Sequence, residues 1–377
     1  MRVLVDYRPA LRNPTGVGEY TRQLVSALAT DHAHQGLDLE VFSSSWKDRL
    51  QPPAALERLE AVDLRVPVAV LNLAWHRLRW PPIEWLTHRS FDVVHSFHPL
   101  LMPSRSAAQV ITIYDLNFLT HPERTHAEIR RDYPALVQSH AQQADHVIVI
   151  SEFTSREVQD RLKVPADRIT ICSPGAPDWA SRPSEPADGY VLFVGTLEPR
   201  KNVGALLDAY QALLVSDIAG LPPLVLAGRA TAASADWLAR IERPPLLGHV
   251  RTLGYVEPSA RQAIYEGALF LVQPSHEEGF GMPVLEAMAT GVPVVAARRG
   301  ALPEALGDAG LLVDPDQAPG DAGSLAGAMR RMIDDPKLRE TAASRGLARA
   351  QSFRWTVAAG HLREAYDRAL HRRRLRT

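Results

Sequence analysis

The chain has 377 residues, 46% of them apolar, a formal net charge of −1 and a single cysteine. That length exceeds what one hydrophobic core supports and fits two domains, while the near-neutral charge excludes a global field toward nucleic acid or an anionic membrane. The lone Cys172 excludes an intrachain disulfide, which accords with the cytoplasm. No apolar run approaches the roughly 20 residues of a spanning helix, and the opening MRVLVDYRPA is too short an apolar run for a signal peptide.

From the N-terminus, Val3 to Val5 is a buried-strand candidate, followed by a loop from Asp6 to Pro14 and then Gly16, Val17 and Gly18. Helical spacing begins after them with Leu24, Val25, Ala27 and Leu28. Paired glycines invite a dinucleotide-binding reading, but that fingerprint needs glycines directly after the strand and a third small residue, where this chain has Thr21. A flexible glycine loop beside a ligand is the better reading. Leu39 to Ser43 is a second strand. The stretch LNLAWHRLRWPPIEW at 71–85 is either a helical hairpin under a loop or an exposed aromatic and basic patch suited to a lipid headgroup or a sugar. Asp92 to His95 is the next strand, and His95, three residues before His98, is expected in a strand-end loop at a cleft rather than in a metal site. Val110 to Ile113 ends at Tyr114 and Asp115. Ligands of open α/β sheets sit at the carboxyl ends of strands, so Asp115 is a site candidate. Strands at 145–150 and 169–172 flank a helix at 152–162. The stretch 174–189, with four prolines and no periodicity, reads as a linker.

The second half opens with a strand, Tyr190 to Val194, and then Gly195, Thr196 and the run EPRKN. Arg200 and Lys201 stand at a helix start, where two cations oppose the helix dipole and call for an anion. Strands follow at 221–228 and 250–256. Two more, Leu269 to Val272 and Val292 to Ala296, bracket Glu278, Gly279, Phe280, Gly281 and a short helix begun by Pro283 and carrying Glu286. Small residues at that helix start leave backbone N–H groups uncovered, which attracts phosphate, and a carboxylate beside them can chelate a ribose diol. Asp314 and Asp316 form an Asp-x-Asp after a late strand. Helices fill 323–349 and 356–371, and the chain ends HRRRLRT.

The stretch EGFGMPVLEAMATGVPVV, with Glu278 and Glu286 separated by seven residues, and the EPRKN run resemble the retaining family-4 glycosyltransferases, which have the GT-B fold. The resemblance implies two doubly wound, Rossmann-like α/β domains facing across a cleft. They would be 1–173, completed by a terminal helix at 356–377 that crosses back, and 190–355, with 174–189 between them. It implies transfer of a sugar from a nucleoside-diphosphate sugar, GDP-mannose first and a UDP-sugar second, to a hydroxyl of a glycan or lipid-linked acceptor. Arg200 and Lys201 would balance the leaving diphosphate together with the N–H groups of Gly279, Phe280 and Gly281. Glu286 would bind the ribose, Glu278 the transferred sugar, and the chain at Thr196 and Val256 the rest of the donor. Gly16, Val17, Gly18, His95, Tyr114 and Asp115 would line the acceptor side. The family usually has His-Asp where this chain has Tyr114-Asp115, and many members have arginine at Thr196. No metal, other cofactor or nucleic acid is expected. The arginine tail and the tryptophan stretch would share the first domain and meet an anionic membrane, the inner face of the cytoplasmic membrane being the site in that case. A sugar-nucleotide epimerase or a non-catalytic nucleotide-sugar-binding protein on the same fold is the alternative.

Overall fold

The computed structural model describes residues 1–11, 16–32, 36–50, 54–120, 127–216, 220–318, 321 and 323–376. Arg12, Asn13 and Pro14, the end of the expected first loop, lie outside them. The chain forms two compact units, Met1–Gly175 with Arg354–Thr377, and Ala176–Phe353.

The first unit is built on a seven-stranded, all-parallel sheet: β1 (Arg2–Asp6), β2 (Asp38–Ser44), β3 (Glu60–Leu64), β4 (Val93–Ser96), β5 (Ala108–Ile113), β6 (His146–Val149) and β7 (Ile169–Ile171). Their spatial order is β3-β2-β1-β4-β5-β6-β7. Val3 pairs with Leu39 on one side and Val93 on the other, so the winding direction reverses between β1 and β4. The strands are short runs of Val, Ile and Leu because helices cover both faces and both must be apolar. One face buries Leu4, Phe42, Leu71, Trp75, Ile83 and Val94 together. The edge strand β3 has no counterpart among the sequence expectations. Its residues are mostly exposed or half-buried, so the apolar signal is diluted. The 71–85 stretch does form two short helical segments, Val68–Leu73 continuing into Ala74–Leu78, then Ile83–Thr87.

The terminal helix, Trp355–Arg376, completes this unit by burying Ala358, Ala359, Leu362, Ala365, Tyr366 and Ala369. Its arginines are fastened rather than frayed. Arg372 pairs with Asp167 at 2.6 Å, Arg376 with Asp145 at 3.1 Å, and Arg373 donates to the Arg105 carbonyl at 3.2 Å. All three partners precede strands, so the basic end lies at the amino ends of β5, β6 and β7. His95 corrects the sequence expectation. It lies inside β4, fully buried, with Nδ1 2.8 Å from the Tyr366 hydroxyl and Nε2 2.8 Å from Thr112 Oγ1. It is a core histidine that ties the terminal helix to the sheet.

The second unit carries a six-stranded parallel sheet: β8 (Tyr190–Val194), β9 (Leu224–Ala227), β10 (Val250–Gly254), β11 (Ala268–Gln273), β12 (Val294–Ala297) and β13 (Leu311–Val313), in the order β10-β9-β8-β11-β12-β13. Its winding reverses between β8 and β11. The 174–189 stretch is not a free linker. From Ala176 it belongs to this unit, with Trp179 5.8 Å from the Tyr265 ring, Arg182 N donating to Thr290 O at 3.1 Å and Glu185 paired with Arg339 at 2.7 Å. Prolines remove periodicity without preventing packing. Trp355, expected in the second domain, begins the helix of the first.

Three of the buried histidines give the first unit a definite acid sensitivity. Burial holds His95 down to about 3, and His140 and His146 down to about 4, against an ordinary value of 6.5. The folded chain therefore binds fewer protons than the unfolded chain in this range. Their stabilising balance is complete above pH 6.5 and is lost as pH falls toward 4. Urea unfolding of the whole protein should show stability falling by at least about 1 kcal/mol per pH unit between 6.5 and 4. Stability that stays flat between pH 7 and 5 would contradict neutral burial of these rings.

Candidate active site

At the reversal point of the second sheet, the loops leaving β8 and β11 diverge, and a crevice at the carboxyl ends is the geometric consequence. These loops are laced together. Asn202 Nδ2 donates to Pro274 O at 3.2 Å, His276 N to Arg200 O at 2.9 Å, and Arg200 to Glu277 O at 3.1 Å. The centre is Glu278, a buried carboxylate. Lys201 Nζ approaches Oε1 at 2.5 Å, Ser275 Oγ donates at 2.8 Å, Gln273 Nε2 at 3.0 Å, and Arg200 reaches Oε2 at 3.3 Å. Burial opposes ionisation of Glu278, but Lys201 and Arg200 outweigh it and hold the carboxyl down at about 2. Lys201 is treated differently by the same neighbours. Burial and Arg200 lower its pKa against the pull of Glu278, because Arg200 helps the carboxylate and repels the ammonium.

Gly281 caps the helix Met282–Ala289 with φ +111°, a backbone region that favours glycine, and no side chain caps this helix. Pro283 sits at its start, as expected. Glycine is also required at Gly300 after β12, where φ is +56° and a Cβ would come within 2.7 Å of both Glu278 N and O. Glu286, one turn into the helix, is buried but already engaged. It accepts from the Tyr265 hydroxyl at 2.6 Å and pairs with Arg261. Thr196 is exposed just past Gly195, and Val256 is half-buried in the turn after β10, beside Tyr255, whose ring lies 5.3 Å under the Arg229 guanidinium. Phe280 is buried 5.5 Å from Phe353. The fold thus brings Glu278, Lys201 and Arg200 into direct contact and seats Thr196, Val256, Gly279, Phe280, Gly281 and Glu286 at the carboxyl end of one sheet or the helix beside it.

The remaining expected residues lie in the first unit. Gly16, Val17 and Gly18 are not a flexible loop but the opening of the helix Gly16–His32, and a Cβ on Gly18 would come within 2.7 Å of Pro9 O. That glycine serves close packing. Tyr114 follows β5, but its hydroxyl is turned inward, 3.3 Å from Phe97 O and 3.5 Å from Thr21 Oγ1, and burial raises its pKa. Asp115 Oδ1 accepts from Asn117 N at 3.1 Å, opening the short helix Asn117–Thr120. The Asp-x-Asp pair is held by Arg299, 2.8 Å from Asp314 and 3.0 Å from Asp316. Among the described residues no group of three or more His, Cys, Asp or Glu is arranged for a metal ion.

Sequence reasoning missed Gln273, Ser275, Arg261 and Tyr265. Three of them left a signal. Gln273 is the polar end of an otherwise apolar strand, ALFLVQ, and Arg261 and Tyr265 are spaced i, i+4 on one face of the helix Pro258–Glu266. Removing one partner of a buried ion pair strands the other charge, so Glu278→Gln should cost about 3–5 kcal/mol in denaturant unfolding, with part of the loss recovered on adding Lys201→Met. Wild-type stability in the single variant would show that the pair is dispensable to the fold.

Comparisons with known proteins agree with this geometry. Residues 14–178 match the family model "Glycosyltransferase Family 4", and 188–335 match "Glycosyl transferases group 1". The O-antigen chain mannosyltransferase B of Escherichia coli is 32% identical over 94% of this chain and 96% of its own length. Among solved structures, sucrose-phosphate synthase from Thermosynechococcus elongatus superposes with a TM-score of 0.76 at 20% identity, covering 97% of this chain and 98% of that one. The Anabaena HepE protein, solved with UDP and glucose, gives 0.65 at 19% identity over 97% and 98%. With two doubly wound parallel sheets, a glycine-capped helix that follows Glu278 and carries Glu286, and a full-length relative, the chain belongs to the family-4, group 1 glycosyltransferases of GT-B fold and is a glycosyltransferase.

Proposed function

We propose that this glycosyltransferase moves mannose from GDP-mannose to a hydroxyl of a growing cell-surface glycan of the lipopolysaccharide or O-antigen type, with retention at the anomeric carbon. The observation that carries the reading is the Glu278–Lys201–Arg200 cluster beside the helix Met282–Ala289, which no side chain caps, at the sheet's reversal point. The O-antigen chain mannosyltransferase named above supports the sugar and the product class. A UDP-sugar is the second choice of donor.

In this reading the diphosphate lies against the N–H groups at Gly279 to Gly281, with Arg200 and Lys201 meeting its growing charge. The bond from the anomeric carbon to the diphosphate oxygen breaks as the acceptor oxygen bonds to the same carbon. The acceptor's proton passes to the departing diphosphate on that face, so no protein nucleophile is needed. Preorganised donors of this kind contribute a few kcal/mol each to the transition state. Glu286 takes the ribose hydroxyls, Glu278 fixes hydroxyls of the transferred sugar, and Asp115 borders the acceptor side. The cationic side chains take the part a metal ion plays elsewhere, and Arg299 already occupies Asp314 and Asp316. The acceptor is lipid-linked, a polyprenyl-diphosphate glycan, which places the work at the inner face of the cytoplasmic membrane.

Incubation with a panel of nucleotide sugars should give slow hydrolysis of GDP-mannose above all others, undiminished by EDTA. Hydrolysis of none would sink the reading, and loss of activity on chelation with recovery on adding magnesium or manganese would return Asp314 and Asp316 to the site. Calorimetry isolates the ribose contact: Glu286→Ala should weaken GDP binding by about 1.5–3 kcal/mol, the range for hydrogen bonds to charged groups. In that variant 2′-deoxy-GDP should bind no worse than GDP. Unchanged GDP affinity would remove Glu286 from the site.

A further inference from the structure

The Glu286 carboxylate is reached from the helix Pro258–Glu266, which follows β10 and carries Arg261 and Tyr265 on one face at i, i+4. The two end on different oxygens of it. Tyr265 donates its hydroxyl to Oε2 at 2.6 Å, and Arg261 pairs with Oε1. With an anchor at each oxygen, the carboxylate cannot turn about its last bond or change rotamer without breaking one of them. Tyr265 also stays a donor. Burial, and then the charge of Glu286, raise its pKa well above the ordinary 10, so the hydroxyl keeps its proton.

The anchors are themselves braced by the stretch 176–189. The Tyr265 ring is fully buried with the Trp179 ring 5.8 Å away, and Gln262 on the same helix donates to Ala180 O at 3.3 Å. Thr290, one turn beyond Glu286, donates its hydroxyl to the Glu286 carbonyl, and its own carbonyl accepts from Arg182 N at 3.1 Å. Tyr265 has no exposed surface, so anything it contributes to a ligand passes through Glu286.

We infer that Tyr265 and Arg261 are positioning residues that hold Glu286 in the orientation that grips a vicinal diol, and that this clamp selects a ribonucleoside diphosphate over its 2′-deoxy form. The two hydroxyls of a ribose have a fixed spacing, and a carboxylate meets both only when its plane is set beforehand. An unclamped glutamate would lose rotamer freedom on binding, a cost that the clamp moves to folding. The inference rests on the ribose role proposed for Glu286 and names the groups that make that role selective.

Titration calorimetry with GDP and UDP, each beside its 2′-deoxy form, tests it on the full chain. Wild type should favour the ribo form by roughly tenfold or more. Tyr265→Phe keeps the buried ring and should weaken the ribo form by a similar factor while the deoxy form hardly changes, so the ratio falls toward parity. Arg261→Ala should act alike, and Arg261→Lys, which restores a charged donor, should recover part of the ratio. Trp179→Leu loosens the Tyr265 ring from a half-buried position, and its smaller fall in the ratio carries the test if Tyr265→Phe does not fold. In donor hydrolysis Tyr265→Phe should raise KM with kcat nearly unchanged, because the ribose is held equally in ground and transition states. Parallel loss of both nucleotide forms, or an intact ratio in the Tyr265 and Trp179 variants where Glu286→Ala has lost it, would overturn the inference and leave Glu286 on the ribose. An intact ratio in Glu286→Ala would instead sink the ribose reading, and the clamp with it.

Discussion

Burial of the Lys201–Glu278 pair is the constraint around which the second unit is arranged. Taking two charges out of water is costly, and the cost is met only when geometry is close and the remaining lone pairs are filled. Ser275, Gln273 and Arg200 fill them here. Because Lys201 follows β8 and Glu278 follows β11, the pair also fixes the separation of the two loops that open at the reversal point. Gly300 then has to be glycine, since the next loop lies directly on the backbone of Glu278. Counting Glu198, which pairs with Arg200 at 3.1 Å, the two cations face two carboxylates. These four formal charges cancel. In the proposed reading, an incoming diphosphate is met by redistribution of existing hydrogen bonds rather than by bare positive charge.

Much of this was legible because the second unit obeys strict periodicity. Short Val and Leu runs alternating with glycine and proline punctuation left one reading for β8, β11 and β12 and for the helix that carries Glu286. What pattern could not supply was pairing. Glu286 looks like a free carboxylate in sequence, but Arg261 and Tyr265, more than 20 residues earlier, reach it only in the folded chain. The boundary between the units falls inside the expected linker, at Gly175 and Ala176, but 176–189 has no regular hydrogen-bonding pattern and takes its order from Tyr265, Thr290 and Arg339, which no periodicity announces.

The first unit was less legible. Its glycines and histidines are residues whose presence in a strand-end region reads as chemistry, yet His95 is saturated by a threonine and a tyrosine, and Gly18 is a packing requirement. The Tyr114 hydroxyl, whose family counterpart is a histidine, faces the interior. A histidine reaching the same backbone and hydroxyl groups would carry its own proton equilibrium into the core, whereas a phenol stays neutral across the working range. The tyrosine thus trades a titratable group for a fixed one.

The terminal helix has a consequence for how the protein is made. Strands β1 to β7 are synthesised first, but the surface they present is covered by Ala358 to Ala369, and the ring of His95 meets its second partner only at Tyr366. Domains generally fold as they leave the ribosome. Here the middle of the chain, Ala176–Phe353, holds all of its own core and can close first, while the earlier-made half waits with an open face until nearly the whole chain has emerged. Order of synthesis and order of completion are therefore reversed, and the stretch of sequence most exposed to premature association is the N-terminal one.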